Sequence, residues 1–469
     1  MSLGITEEMI ARQPAEAQVI IRLLLAHIAQ QDRRIAELEA RWKLSPRNSS
    51  LPPSSEHPHA KPPRKPPRSR KKRGGQPGHA KHERPLIPVE DCSQVIPLKP
   101  QACRRCGTKL SGDDPQPLRH QVWELPEIQP LVTEYQRHRR ECSCCQETTC
   151  GVLPAGVPTG QSGPRLVAFT ALLMAYYRQS KSRTAQFLTT LLGQPCCAAL
   201  TVKLQNLVTD ATRPAYDQLV TQLPDQPHLN IDESPTKEAS RKSWLWTFVA
   251  KPFTVFAVRA TRAATALDDL LTDRFQGLVT CDRAKMYWSR GRLQWCWSHV
   301  KRDIQALIDS DDAQVRRLGH DLMRPTKELF RQWHRFRAGE LTHPGLKRVL
   351  TPLREKIDAL WLRGASSGHP RLTGMCQELW NHRDWLWTFL EHEGVNPTNN
   401  AAERSLRHAV IWRKLSFGTQ SEKGSRFVET LLTVIETCRQ QSRNVFQFLT
   451  TAVKALFANQ SAPSLLSGP

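Results

Sequence analysis

Apolar residues recur in steps of three and four near the start of the chain, a spacing that predicts a helix with one apolar face. Over residues 15–42 these positions are Ile21, Leu24, Ile28, Ile35, Leu38 and Trp42. Gln31 takes one polar core position and charged side chains fill the other faces, so the pattern fits a heptad seam. We predict an oligomerising coiled-coil helix over residues 1–45. An amphipathic helix packed on its own domain is the alternative.

Residues 160–225 contain a second helical pattern. It predicts helices over residues 166–177, 182–192 and 201–223, and a corner at Pro195-Cys196-Cys197 separates the last two. Two helices joined by a short turn fit a helix-turn-helix DNA reader. They fit equally well a helical packing segment in front of another domain, so both interpretations stay open.

From residue 228 the pattern changes to short strands bounded by turn residues. The predicted order is a strand, a two-stranded hairpin, a helix and a further strand, over residues 228–232, 244–250, 254–258, 261–275 and 277–282. The first and fourth strands each end in an acid, Asp232 and Asp282. This is the order of an RNase H-like α/β core, in which the first and fourth strands are neighbours. We assign the first part of that core to residues 226–300 and expect the two carboxylates to meet.

Two neighbouring carboxylates repel each other unless a cation lies between them. Oxygen ligands suit Mg²⁺ or Mn²⁺, and two such ions about 4 Å apart can activate water or a 3′-hydroxyl and stabilise the leaving oxygen. The pattern therefore predicts metal-dependent cleavage and joining of phosphodiesters. Glu233 follows Asp232 directly, and strand alternation places the two side chains on opposite faces, so only one can face the metal.

Residues 46–100 break the apolar pattern. They contain thirteen of the 34 prolines, and residues 43–84 contain twelve basic and two acidic residues. Such a composition predicts an extended, Pro-rich, disordered basic arm. We expect the arm to contact DNA phosphates, and a solvated linker is the alternative. The basic residues proposed for DNA contact are Arg68, Arg70, Lys71, Lys72 and Arg73.

The charge of the whole chain points to the same kind of partner. With 67 basic and 44 acidic residues, the net charge is +23, which favours a polyanion such as double-stranded DNA. No apolar run reaches the roughly 20 residues of a membrane helix. Glu7, Glu8 and Pro14 interrupt any signal-peptide pattern at the start. We expect a cytoplasmic, nucleoid-associated protein without a membrane partner.

Two Cys-x-x-Cys pairs stand out among the 13 cysteines. In a reducing compartment, paired cysteines indicate a metal site more than disulfides. We predict a zinc ribbon over residues 101–155, with a β-rich stretch at residues 122–135 between the pairs. Four thiolates leave no open position on zinc, so the site is structural. The predicted ligands are Cys103, Cys106, Cys142 and Cys145, and Cys144 competes with Cys145.

Several motifs, in order along nearly the whole chain, resemble the insertion-sequence-66 transposases. The front half carries Asn48-Ser-Ser-Leu-Pro-Pro-Ser-Ser55, the basic arm, Gly74-Gly-Gln-Pro-Gly-His79 and the two cysteine pairs. The catalytic half carries Ile231-Asp-Glu-Ser234, Cys281-Asp282, Cys296-Trp-Ser-His-Val-Lys-Arg302 and Asn399-Asn-Ala-Ala-Glu-Arg-Ser-Leu-Arg407.

The resemblance implies a multidomain α+β transposase that binds transposon ends and catalyses cleavage and strand transfer. It implies a DDE triad of Asp232, Asp282 and Glu403, which would also hold Mg²⁺ or Mn²⁺. It further implies a helical insertion, assigned to residues 301–395, before the last part of the core at residues 396–460. We expect a homo-oligomer, with accessory proteins of the element as further partners.

The sequence around Glu403 fits this assignment. Pro397-Thr-Asn-Asn400 is a good helix start with a capping side chain at Thr398 or Asn399, which places Glu403 near the first turn. We interpret Cys296 and His299 as structural packing, because two ligands do not make a zinc site. The basic residues after Glu403 are expected to contact DNA, although a charged helix face is the alternative. They are Arg404, Arg407, Arg413 and Lys414, with Lys423 and Arg426 further along.

Two rival functions remain at this point. The first is a structure-specific nuclease, such as a Holliday-junction resolvase, that uses the same acids on the same fold. It would have little need of a zinc ribbon, a basic arm and a coiled coil. The second is a zinc-dependent DNA-binding regulator derived from a transposase, and the three retained acids argue against it.

Overall fold

The computed structural model describes residues 6–42, 48 and 84–466 of the 469-residue chain. The predicted contacts Arg68, Arg70, Lys71, Lys72 and Arg73 lie outside the described residues. The chain divides into two compact units, residues 1–58 with 132–469 and residues 59–131. Within the described residues, no helix is long and apolar enough to cross a membrane.

The described part of the chain is a mixed α and β structure. Its α-helices are α1 (Glu7–Ala11), α2 (Ala15–Trp42), α3 (Pro164–Ala175), α4 (Lys181–Leu192), α5 (Ala198–Thr221), α6 (Ala264–Leu271), α7 (Trp297–Ile308), α8 (Ala313–Arg337), α9 (His343–Ala365), α10 (Pro370–Asn381), α11 (Asp384–Glu391), α12 (Asn400–Ser416), α13 (Glu422–Gln440) and α14 (Val445–Phe457). Its strands are β1 (Arg139–Glu141), β2 (Thr148–Cys150), β3 (His228–Glu238), β4 (Arg241–Val249), β5 (Thr254–Arg259), β6 (Leu278–Cys281) and β7 (Leu293–Trp295).

The central sheet has five strands in the order β5-β4-β3-β6-β7. β3, β4 and β5 are antiparallel neighbours, whereas β6 pairs parallel with both β3 and β7. The predicted hairpin and the predicted adjacency of the first and fourth strands are therefore confirmed. Buried aromatic and aliphatic side chains of the sheet form the core of this unit.

Two features of the sheet differ from the sequence prediction. The first strand does not end at Asp232 but continues to Glu238, because β4 starts at Arg241 and stays paired along its whole length. The three-residue strand β7 was not predicted at all, since it is too short to show an alternating pattern. The predicted helix over residues 261–275 is also shorter, Ala264–Leu271.

Helix α13 covers the open edge of the sheet. The outward backbone N–H groups of β5 donate to its side chains: Thr254 to Thr437 at 3.2 Å, Phe256 to Thr433 at 2.8 Å and Val258 to Glu429 at 2.9 Å. The acceptors are four residues apart on the helix, and the donors are two residues apart on the strand. About one helical turn therefore spans the same length as two strand residues, so each outward N–H of β5 meets a side chain on one face of α13. An edge that would otherwise be free to pair with another chain is thereby closed.

Helix α5 precedes the sheet and packs against other helices. α5 buries one face against α13 and α14, and the Tyr216 hydroxyl donates to the Phe256 carbonyl of β5 at 3.0 Å. This burial favours the packing interpretation of residues 160–225 over a DNA-reading helix pair. Between β7 and α12 the chain forms the five helices α7 to α11.

Near the start of the chain, α2 carries exposed apolar side chains at Leu24, Ile28 and Ile35. Helix α2 packs against α1. This exposure agrees with a seam that another copy would cover, and the coiled coil remains a prediction.

The predicted β-rich stretch at residues 122–135 is wrong. Those residues form no strand, and Val122, Leu125 and Val132 stay exposed. Alternating apolar residues form a strand only where a neighbouring strand pairs with them. None of the described strands pairs with residues 122–135. The neighbouring regular structure is the short hairpin of β1 and β2.

Candidate active site

The two strand acids occupy equivalent positions on neighbouring parallel strands. The last parallel pair in the ladder is Asn230 with Thr280. Asp232 and Asp282 each lie two residues beyond that pair, and side chains two residues apart point to the same face. The register therefore brings both carboxylates to one side of the sheet, where β3 and β6 diverge.

Local hydrogen bonds fix the two carboxylates. An oxygen of Asp232 accepts from the backbone N–H of Glu233 at 3.0 Å. An oxygen of Asp282 accepts from the N–H of Ala284 at 2.9 Å, in the turn directly after β6.

Glu403 lies on helix α12, and among the described residues it does not form a group with Asp232 and Asp282 whose ligand atoms lie within 4.8 Å of one another. The helix begins at Asn400, and the Glu403 N–H donates to the carbonyl of Asn399 at 3.1 Å. The Asn399 side chain does not cap the helix, which differs from the prediction. Its amide instead donates to the Ile231 carbonyl at 2.7 Å and fastens the helix start to β3, one residue from Asp232.

The negative charges of the neighbouring acids act on the Asp232 carboxyl group. Burial raises the pKa of Asp232 well above its usual range, and the negative charges of Glu233, Asp282 and Glu403 raise it further. Carboxylates held this close without compensation favour a proton or a cation between them.

Glu233 has its own partners beside the acid cluster. Its carboxylate pairs with Arg262 at 2.6 Å and accepts a hydrogen bond from the buried Tyr287 hydroxyl. Arg262 also approaches an oxygen of Asp282 at 3.9 Å. Burial, followed by the charge of Asp282, raises the pKa of Glu233, and Arg262 opposes this rise. Glu233 is thus occupied, which agrees with the expectation that one acid of the pair faces the metal.

Glu403 also lies against the start of helix α7. An oxygen of Glu403 is 3.8 Å from Nδ1 of His299 and 3.7 Å from a guanidinium nitrogen of Arg302. Cys296 joins them, and the three potential ligand atoms of Cys296, His299 and Glu403 all lie within 4.8 Å of one another. Within the described residues this is the one group of three such side chains found that close.

Cys296 and His299 therefore pack together with a third side chain, Glu403. Burial lowers the pKa of His299, and Arg302 lowers it further, so a neutral imidazole faces the Glu403 carboxylate. Burial raises the pKa of the Cys296 thiol to about 11. The thiol accepts a hydrogen bond from the Asn399 N–H at 3.1 Å, which connects α7 to the start of α12.

Two other acids that could be considered for the third position, Asp303 and Glu391, are paired elsewhere. Asp303 pairs with Arg283 at 2.7 Å, and Arg283 also holds Glu378 at 3.1 Å. Glu391 pairs with Lys347 on the helical segment between β7 and α12. By contrast, Oε1 of Glu403 is buried and has no hydrogen-bond partner.

The predicted DNA contacts on α12 differ in their surroundings. Arg404, Arg407 and Lys414 are exposed and form no ion pair with another described residue. The guanidinium of Arg413 instead donates to the Ser234 hydroxyl at 2.8 Å and to the Pro235 carbonyl. It ties the end of α12 to β3.

Each cysteine pair lies on a tight turn of its own. The Gly107 N–H donates to the Cys103 carbonyl at 2.9 Å, and the Gln146 N–H donates to the Cys142 carbonyl at 2.8 Å. Hydrogen bonds from Thr108 lower the pKa of Cys106 to about 7. Backbone N–H groups of Cys145 and Cys144 lower the pKa of Cys142. The pairs belong to different compact units, so a shared zinc ion remains a prediction.

The sequence did not identify three residues of the site, Arg262, Tyr287 and Arg302. It also did not predict that the Asn399 side chain contacts β3. Arg302 and Asn399 belong to motifs quoted above, which was the available signal. Arg262 and Tyr287 lie in an unremarkable loop and a short 3₁₀ turn, and nothing local marks them.

Comparison with known proteins identifies two families. The Transposase IS66 family matches residues 159–426, more than half of the chain. A family of unknown function (DUF6444) matches residues 6–85.

Two relatives come from Sinorhizobium fredii (strain NBRC 101917 / NGR234). The uncharacterized protein y4jO is 27% identical over 158 residues, which cover 33% of this chain and 46% of that protein. The uncharacterized protein y4qI is 23% identical over 245 residues, 46% of this chain and 44% of that protein. The chain thus spans less than half the length of these curated relatives.

Proposed function

The chain belongs to the IS66 family of transposases, and on that premise we propose that it is a DDE transposase that binds transposon ends and catalyses metal-dependent cleavage and strand transfer. The parallel register that sets Asp232 beside Asp282 is the observation that carries the proposal. Glu403, on a helix whose start is hydrogen-bonded to the same strand, is the third acid of this proposal. The strand order, with first and fourth strands adjacent, supports an RNase H-like catalytic core.

The acid cluster fits divalent cations. Its donors are carboxylate oxygens, the ligands that Mg²⁺ and Mn²⁺ prefer. A buried Glu403 oxygen lacks a hydrogen-bond partner, and the pKa of Asp232 is raised first by burial and then by its negative neighbours. In this proposal Asp232, Asp282 and Glu403 hold two ions. When bound, these supply the charge that activates water or a 3′-hydroxyl and stabilises the leaving oxygen.

The surrounding residues keep the three acids in place. Arg262 pairs with Glu233 and Tyr287 donates a hydrogen bond to it, so that the charge of Glu233 is compensated within the protein. His299 and Arg302 contact Glu403 from α7. Asn399 fixes the start of α12 to β3. The carboxylate of Glu403 acts as a ligand in this scheme and not as a proton shuttle.

The front half would supply DNA affinity and assembly. We propose that the basic arm contacts phosphates, that the two cysteine pairs hold one structural zinc, and that α2 joins copies of the chain through its exposed apolar face. On the catalytic unit, Arg404, Arg407 and Lys414 are the free cations nearest to Glu403 along α12 and would contact the DNA backbone.

The proposal is tested by Glu403→Gln, which keeps the shape of the side chain but removes its charge. Cleavage and strand transfer on a duplex carrying the element's terminal repeats should fall by roughly a thousandfold or more. DNA binding should be unchanged. Glu403→Asp should be impaired and partly restored by Mn²⁺, which tolerates looser geometry.

The matched control is Glu393→Gln, an exposed acid shortly before α12, which should keep full activity. An active Glu403→Gln together with an inactive Asp303→Asn would show that the third acid is misassigned. Cleavage without strand transfer in the unmodified protein would favour the structure-specific nuclease. Binding without either reaction would favour the regulator.

A further inference from the structure

The exposed face of α12 is basic and apolar and leads away from the acid cluster. Its exposed side chains follow the three- and four-residue spacing of one helix face and include no acid. The basic members form no ion pair with another residue in the described ranges. The face consists of Arg404, Arg407, Ile411, Lys414 and Leu415.

Phe417 ends this face in an unusual conformation. It follows α12 with a φ of 59°, and its N–H donates to the Arg413 carbonyl at 2.8 Å. Glycine or asparagine normally takes this left-handed position, and a bulky residue there is strained. The phenylalanine side chain is 80% exposed, so burial does not offset the strain. Strain without a packing gain points to a function for the ring.

The turn that carries Phe417 is firmly anchored. The Thr419 N–H donates to the Lys237 carbonyl at 2.9 Å, and the Ala239 N–H donates to the Thr419 carbonyl at 2.9 Å. At Gly418, with a φ of 103°, a Cβ would lie 2.5 Å from the Lys237 carbonyl. The turn therefore sits against the β3–β4 hairpin, and Phe417 is held on a fixed support.

The surroundings of the ring favour an anionic strand. Lys237, Arg241 and Lys423 are exposed and have no ion-pair partner in the part of the chain that is described. Of the acids near the turn, Glu422 is paired with Arg426 at 3.3 Å, and Glu238, whose backbone bridges Thr419, is outnumbered by these cations. An exposed aromatic face among free cations is the combination that binds single-stranded nucleic acid, because the bases stack and the cations follow the phosphates.

We propose that Phe417 is a stacking platform for an unpaired DNA base, reached by a strand that runs along the exposed face of α12 from the acid cluster. The inference rests on the proposed function, since it uses the same DNA substrate. From Glu403 to Phe417 the helix rises roughly 20 Å at ~1.5 Å per residue. At ~3.4 Å per nucleotide, the stacked base lies about six nucleotides from the phosphate that the acids attack.

The test uses a duplex with a single-stranded extension of about ten nucleotides, in which 2-aminopurine replaces one base at a time. Binding should quench its fluorescence most strongly about six nucleotides from the junction. Phe417→Ala should relieve the quenching and weaken binding of the tailed duplex roughly tenfold. Binding of a fully paired duplex should stay the same, and Phe417→Trp should retain the quenching.

A third variant separates stacking from folding. Phe417→Asn suits the left-handed backbone, so it should melt at the same temperature as the unmodified chain or higher while losing the quenching. Tyr177→Ala removes a 56%-exposed aromatic ring that lies outside α12 and its turn and should change neither property. All measurements are made in the Glu403→Gln background without divalent metal, so they do not depend on cleavage.

Unchanged quenching and affinity in Phe417→Ala would overturn the proposal. The proposal would also be overturned if Phe417→Ala lost self-association in sedimentation while its DNA binding stayed the same. The exposed face of α12 would then be a contact surface for another copy of the chain. If the unmodified protein cleaves DNA but Phe417→Ala has no effect, only the stacking role fails. If stacking is seen but no cleavage occurs in any condition, only the catalytic proposal fails.

Discussion

Asp232 is half-buried and has three negative neighbours, and we expect this to affect stability. Burial first, and then Glu233, Asp282 and Glu403, raise the pKa of its carboxyl group in the folded state. A carboxyl with a raised folded pKa stabilises the fold below its unfolded pKa of about 4. That stability is lost as the pH rises through the folded pKa, because the unfolded state releases the proton more easily.

Asp232→Asn should therefore raise the melting temperature of the metal-free protein, by an amount that grows from about pH 4 toward neutral pH. It should also abolish cleavage and reduce the stabilisation given by Mn²⁺. Thermal melts in a chelator, and again with Mn²⁺, check both effects. Asp269→Asn, at an exposed position on α6, should alter neither. A lower melting temperature for Asp232→Asn at neutral pH would contradict the assigned electrostatics.

At this scale the sequence predicts the acids proposed as metal ligands but not the residues around them. Asp232 and Asp282 follow from strand order, and Glu403 from a motif and a helix start. Arg262 and Tyr287 meet Glu233 only through the tertiary fold, from positions 29 and 54 residues away. Local patterns do not encode such contacts, so the sequence gives no signal for them.

At the scale of elements, the start of α12 depends on one buried side chain. Asn399 is 1% exposed, its amide donates to the Ile231 carbonyl, and its backbone N–H donates to the Cys296 thiol. Asn399→Ala leaves the Ile231 carbonyl without that donor and should lower the free energy of unfolding by about 1–3 kcal/mol. The cleavage rate should fall by more than the loss of folded protein accounts for. The reason is that Glu403, one helical turn after Asn399, is positioned by the hydrogen bond from Asn399 to β3.

Urea denaturation and single-turnover cleavage measure the two effects. Asn400→Ala changes the next residue, which is exposed at the first helical position, and serves as the matched control. Equal effects of the two substitutions would mean that the contact with β3 does not position Glu403.

The cysteine turns make a second prediction for elements. Thiolates bind zinc only when deprotonated, and the pKa of Cys106 is already lowered to about 7 by its hydrogen bonds to Thr108. Metal analysis of the full chain should find one zinc, which acid or a chelator releases. Cys103→Ser and Cys142→Ser should each remove it, whereas Cys376→Ser, at a buried cysteine of α10, should not. One zinc retained in both of the first two variants would exclude a shared site.

Element prediction from the sequence succeeds where a pattern is long and fails where it is short or lacks a partner. The helices α3, α4 and α5 begin and end within about three residues of their predicted bounds. β7 has three residues and escapes detection. Residues 122–135 have the alternation of a strand but find no neighbour, so the pattern there leads to a false prediction. β3 is longer than predicted because β4 extends its pairing.

On the scale of the whole molecule, the sequence separates a charged front from a part with the pattern of a packed core. The Transposase IS66 family matches the second of these, over residues 159–426. Sequence composition says which part is basic, but it cannot say which cations meet DNA. Ion pairs within the fold make that distinction: Arg213 and Arg426 are bound to the buried Glu429, whereas Arg404, Arg407 and Lys414 are free among the described side chains.

The basic arm offers the clearest test at this scale. Each phosphate contact releases condensed counterions, so the logarithm of the binding constant falls with the logarithm of salt concentration by about 0.9 per contact. Neutralising Arg68, Arg70, Lys71, Lys72 and Arg73 in the full chain should reduce that slope by up to about four. Fluorescence anisotropy with a duplex of arbitrary sequence, at several salt concentrations, measures it.

Net charge alone must be separated from contact, and the helices between β7 and α12 supply the control. Five of their cations form surface ion pairs with acids of the same segment: Arg331, Arg335, Lys347, Arg354 and Arg363. Neutralising these five removes the same net charge as the arm variant. If the arm contacts phosphates, only the arm variant flattens the salt dependence. Equal slopes in both variants would mean that the arm acts through the overall field of the protein and not as a DNA-binding element.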